Sequence, residues 1–112
     1  MKASLIALLG AVALAGCGGS NPSVAITLTT SGVTAVNSTV RYGYDLVYTN
    51  KDTVPHAIGS LGCPKLAVGT LQPNASATAN VGDVTYVGKS CDLFDPQNPS
   101  YGSLTIRVLG AG

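Results

Sequence analysis

Between Val24 and Val108 the apolar residues of this chain recur at every second position, and nowhere do they sustain the 3.6-residue period of a helix face. Val24, Ile26 and Leu28 alternate with Ala25, Thr27 and Thr29, and Val40, Tyr42, Tyr44, Leu46 and Tyr48 share one side of a longer run. The same alternation returns in Ala75, Ala77, Ala79 and Val81, and in Leu104, Ile106 and Val108. Side chains on a strand point alternately to opposite faces, so each run describes a strand with one buried face. Turn-forming clusters separate the runs: Thr30-Ser31-Gly32, Asn50-Lys51-Asp52-Thr53, Gly62-Cys63-Pro64, Gln72-Pro73-Asn74 and Gly82-Asp83. Short strands at this spacing predict an all-β chain, a single antiparallel sandwich of six to eight strands.

The first sixteen residues follow another rule. Lys2 precedes an apolar stretch from Leu5 to Leu14, and small residues follow, which is the pattern of an export signal. The stretch is too short for a bilayer-spanning helix of roughly 20 residues. Leu14-Ala15-Gly16-Cys17 resembles the lipobox of bacterial lipoproteins. The resemblance implies cleavage before Cys17, diacylglycerol on its thiol and commonly a further acyl chain on the new amino group. Two or more chains give stable anchoring, at about 0.8 kcal/mol for each buried CH₂. Expected boundaries are therefore a signal peptide at 1–16, a lipidated cysteine and flexible linker at 17–22, and one domain at 23–112. No aspartate follows Cys17 directly, which implies the outer membrane in a Gram-negative host and the outer face of the plasma membrane in a Gram-positive one.

With Lys2 removed, Arg41, Lys51, Lys65, Lys89 and Arg107 balance Asp45, Asp52, Asp83, Asp92 and Asp95. A neutral domain with no basic run in its sequence lacks the footprint of a nucleic-acid binder or a polybasic membrane reader. Cys63 and Cys91 are the two cysteines left once Cys17 is modified, and in an exported domain they are expected to pair.

Tyr44 to Lys51, followed by Leu71-Gln72-Pro73-Asn74-Ala75-Ser76-Ala77-Thr78, resembles the pattern of bacterial immunoglobulin-like surface domains. Those domains carry a strand ending in Thr-Asn and a later Leu-x-Pro-Gly-x-Ser-type turn. Asn74 stands here where glycine is usual, and the chain has no tryptophan. The resemblance implies an Ig-like sandwich.

Little in the sequence points to catalysis. His56 is the sole histidine, glutamate is absent, and no Gly-x-Ser-x-Gly turn surrounds Ser60, Ser90 or Ser103. Val54-Pro55-His56 with Cys91 downstream faintly resembles a cupredoxin, in which a Pro-His, a later Cys and a second His hold copper. No histidine follows Cys91, however, and the one methionine is Met1. Asp92, Asp95 and Asn98 offer oxygen donors at three-residue spacing, fewer than the six to eight that Ca²⁺ takes. The stretch Asp92 to Pro99 more simply reads as a proline-stiffened loop. Phe94 and Tyr101, with Asp92 and Asp95, are the candidate partner-binding residues. Asn37-Ser38-Thr39 and Asn74-Ala75-Ser76 match the glycosylation sequon and are assigned no role.

The expectation is a membrane-anchored lipoprotein of the cell envelope, a non-enzymatic binding or structural module without a cofactor beyond its covalent lipid. It would display its Cys63 to Cys91 end toward an envelope protein, with no nucleic-acid partner. Alternatives are a periplasmic copper or other metal carrier, and an inhibitor of a protease or a phage-type exclusion lipoprotein.

Overall fold

The computed structural model describes residues 21–111. The expected signal peptide, Cys17 and most of the linker lie outside them. Nine strands run through the described residues: β1 (Ser23–Leu28), β2 (Val33–Ala35), β3 (Thr39–Arg41), β4 (Asp45–Asn50), β5 (His56–Leu61), β6 (Val68–Leu71), β7 (Ser76–Asn80), β8 (Ser90–Phe94) and β9 (Leu104–Leu109). They form a four-stranded sheet, β2-β1-β4-β7, and a five-stranded sheet, β3-β9-β8-β5-β6. The core lies between the two sheets. Ile26, Leu28, Leu46 and Tyr48 enter it from one side, and Val40, Ile58, Leu93, Ile106 and Val108 from the other. Each such side chain contributes about 1.5–3 kcal/mol by leaving water.

The run from Val40 to Tyr48, which the alternation presents as one strand, is divided between the sheets. Tyr44 N donates to Arg41 O at 3.0 Å, closing a turn around Tyr42 and Gly43. Gly43 has φ +94°, a conformation costly for other residues, and a Cβ there would meet nothing within 4 Å. Backbone conformation, not space, therefore selects glycine. Val40 stays with the five-stranded sheet while Leu46 and Tyr48 serve the four-stranded one.

This crossing makes two of the pairings parallel. β1 pairs with β4 from Ser23↔Asp45 to Leu28↔Asn50, and β3 pairs with β9 through Val108↔Val40. The other pairings are antiparallel. Val84–Tyr86, apolar enough to suggest a strand, is instead a 3-10 turn. Asp83 caps it by accepting a hydrogen bond from Thr85 N.

The registers define two ends. Pro22 O accepts from Asp45 N where the chain enters, so Ser23, Arg41, Asp45, Asn80, Leu61, Ser90 and Leu109 lie toward the entry end. Leu28, Asn50, His56, Phe94 and Leu104 lie toward the opposite end. Cys63 and Cys91 form a disulfide with Cα atoms 5.5 Å apart. It fastens the segment after β5 to the first half of β8, on the entry side. Both cysteines are fully buried. The bond is interior, and it sits at the end where the described residues begin.

Candidate functional site

The chemistry gathers at the opposite end, around His56. This residue opens β5, where pairing with Leu71 fixes its backbone and turns its side chain inward. Its Nδ1 lies 2.7 Å from Oδ2 of Asp95, and its Nε2 lies 2.7 Å from Oδ2 of Asp52. The Tyr101 ring stacks on the imidazole with centroids 4.0 Å apart and an interplanar angle of 16°. Asp52 comes from the β4–β5 turn, Asp95 from the residue after β8, and Tyr101 from the β8–β9 loop.

Each partner is itself held. Thr53 N donates to Asp52 Oδ1 at 2.7 Å, and Gln97 N donates to Asp95 Oδ1 at 2.9 Å. Tyr101 donates its hydroxyl to Thr29 O and Gly32 O. Gly32 and Gly102 pair as a parallel bridge beside it, so closely that a Cβ on Gly32 would meet Gly102 Cα at 2.6 Å. Two loops, one from each sheet, thus interlock over the histidine.

Asn50 completes this end. It is fully buried, and its side-chain amide donates to Val54 O and Leu71 O, each at 2.9 Å. Its Oδ1 accepts from Asp52 N at 2.9 Å. One side chain therefore shapes the turn that carries Asp52 and joins it to β6.

An ionised carboxylate only accepts hydrogen bonds, so two of them at 2.7 Å call for a donor on each ring nitrogen, the imidazolium form. Burial opposes the charge on His56, but the hydrogen bonds and charges of Asp52 and Asp95 outweigh it and hold the pKa above 6.5. Asp52 is held below 3.8 by its hydrogen bonds to His56 and Thr53. Burial, with the charges of Asp52 and Asp95 added, pushes the Tyr101 hydroxyl up to about 12. The site therefore holds a proton between two carboxylates under an aromatic lid.

Although it stands at a strand end, His56 is buried at 3% exposure. Of the four candidate partner-binding residues, Asp95 and Tyr101 are buried and engaged with His56. Asp92, half-buried, accepts from the Thr105 hydroxyl at 2.6 Å across the β8–β9 pair. Phe94 is also half-buried. Its ring lies across Gly59 on the outer face of the five-stranded sheet, where a Cβ would meet it at 2.9 Å. The oxygens of Asp92, Asp95 and Asn98 do not converge, since Asn98 Oδ1 accepts from Ser100. Among the described residues no group of three or more His, Cys, Asp or Glu side chains is placed to hold a metal ion. Sequence reasoning missed Asn50 and Asp52 as members of the site. Their one signal was the polar turn directly ahead of Pro55-His56.

No family model matches the sequence, and no curated protein matches it. Solved structures do. A novel purple cupredoxin from Nitrosopumilus maritimus aligns with a TM-score of 0.60 at 14% identity, over 75% of this chain and 97% of that one. A tryptophan-to-tyrosine mutant of amicyanin in its reduced state aligns with 0.61 at 10% identity, over 81% and 86%. The Cu(I) form of a methionine-to-alanine mutant of amicyanin aligns with 0.57 at 9%, over the same shares. The fold is thus the cupredoxin-like form of the β-sandwich.

A copper centre of that kind uses two histidines and a thiolate with a weak axial ligand. The donors among the described residues do not fit it. Both nitrogens of the single histidine face carboxylates, and the sulfurs of Cys63 and Cys91 are bonded to each other.

Proposed function

We propose that this protein is a membrane-anchored lipoprotein of the cell envelope whose cupredoxin-like sandwich is a non-enzymatic binding or structural module. The observation that carries the reading is the pairing of both His56 nitrogens with Asp52 and Asp95. The His56 pole is closed by an ion-paired imidazolium, two carboxylates and an aromatic ring. Such a network fixes loops from both sheets and supplies neither a nucleophile nor an open coordination position. Intact mass of the mature protein, with and without reductant and alkylation, tests it. The expected result is a lipid adduct on Cys17 and two thiols that react only after reduction. A mass without lipid, or two thiols free at the outset, overturns it.

The second reading is a periplasmic copper carrier, favoured by the likeness to a purple cupredoxin and to amicyanin. It requires His56 to exchange its carboxylate partners for metal. Stoichiometric uptake of Cu(I) or Cu(II) would establish it.

A further inference from the structure

The entry end of the sandwich carries apolar and basic side chains that the sequence scatters. Tyr42, Val84 and Val87 are 37%, 66% and 40% exposed, and backbone contacts draw them together. Tyr42 N donates to Leu109 O, Gly43 N to Val81 O and Val87 N to Val84 O. A Cβ on Gly110 would touch Val87 Cγ1 at 3.8 Å. Arg41 donates to Gly110 O at 3.0 Å beside this patch, and Lys89 follows it in the chain. Lys65 belongs to the same end, paired with Asp83 at 3.1 Å, and Asp45 is the other carboxylate there.

The described residues begin at this end as well, because Pro22 O accepts from Asp45 N. Cys17 stands five residues before Pro22. A linker of that length reaches at most about 18 Å when fully extended.

From the shared location of patch, cations and linker we infer that the end bearing Tyr42, Val84 and Val87 rests on the lipid headgroup interface. The inference builds on the proposed anchoring at Cys17. Amphipathic tyrosine suits the interfacial layer, and Arg41 and Lys89 can donate to lipid phosphates. The short linker keeps the patch at the surface, so that its weak affinity acts at high effective concentration. The pole built on His56 then faces away from the membrane, a strand length of about 20 Å further out.

The test uses the full lipidated protein in nanodiscs of phosphatidylcholine and phosphatidylglycerol doped with a headgroup spin-labelled lipid. Paramagnetic broadening of backbone amides is then read at both ends of one molecule. The expected result is several-fold stronger broadening at Tyr42 to Tyr44 and Val84 to Gly88 than at Asn98 to Tyr101. A V84D/V87D variant, altered only at exposed positions, should keep its lipid and lose most of this contrast. Equal broadening at the two ends, or a contrast unchanged in the variant, overturns the inference while leaving the anchor in place. Absence of both lipid and disc association removes the anchor and the inference with it.

Discussion

His56 and Asp95 are 39 positions apart in sequence and 2.7 Å apart in space, and the contact joins the first residue of β5 to the residue after β8. Because Asp52 holds the other ring nitrogen, the histidine is a two-sided tie between the β4–β5 turn and the β8–β9 loop. Removing it leaves two carboxylates facing one another under Tyr101. A H56L variant should lose on the order of 3 kcal/mol, the cost of an uncompensated buried charge. The H56L/D95L double variant should recover much of the loss, since paired apolar replacement of a buried ion pair is often near neutral. Urea denaturation of the three proteins measures both effects.

Stability should depend on pH in a window set by the same cluster. The pKa of His56 is raised above 6.5, so its contribution is full below 6.5 and is lost as pH rises through the raised value. The pKa of Asp52 is lowered below 3.8, so its contribution is present above 3.8 and is lost as pH falls through the lowered value. Asp83, held down to about 2 by hydrogen bonds from Thr85 and by Lys65, adds a further acid-side loss. The urea midpoint is expected to be higher at pH 5 than at pH 9, with the alkaline slope absent from the H56L/D95L variant.

Asn50 fastens three backbone groups from a fully buried position. An N50A variant strands Val54 O, Leu71 O and Asp52 N at this end. The expected cost is about 2–3 kcal/mol, read as a fall in the denaturation midpoint. Disturbance of the turn holding Asp52 should also lower the pKa of His56, which side-chain NMR reports separately.

The Gly32–Gly102 crossing allows no side chain. G32A places its new atom 2.6 Å from Gly102 Cα, and G102A places its own 2.8 Å from Ser31 O. Each should cost about 1–3 kcal/mol through forced separation of the loops. G69A, where nothing lies within 4 Å, is the control and should stay within about 0.5 kcal/mol of the parent. Thermal melts of the three variants decide the matter.

Period-two alternation was enough to read the sandwich, because strand faces print themselves directly on sequence. It could not show that Val40 and Leu46 serve different sheets. The switch at Gly43 is a backbone event that leaves the apolar pattern unbroken, and the parallel pairings follow from it. Asn74, which departs from the glycine usual in an Ig-like pattern, has φ +69° and is the one non-glycine residue with positive φ among the described residues. Asparagine tolerates that conformation, so the position keeps its turn. The pairing of Cys63 with Cys91 was legible because few partners existed. The site is half legible: His56, Asp95 and Tyr101 each stand out in the sequence, but for separate reasons. Their union depends on two loops meeting across the sandwich, and no local spacing encodes that. The distribution of charge was hidden similarly, since Arg41, Lys65 and Lys89 share an end only after folding.

An ion-paired imidazolium at the His56 pole requires a proton on each ring nitrogen. Nitrogen-15 NMR of the His56 ring from about pH 4 to pH 9, with and without one equivalent of Cu(II), tests it most directly. An ion-paired ring should keep imidazolium shifts on both nitrogens above pH 6.5, unchanged by copper. A ring that is neutral at pH 6.5, or whose signals vanish stoichiometrically as copper is added, would contradict it.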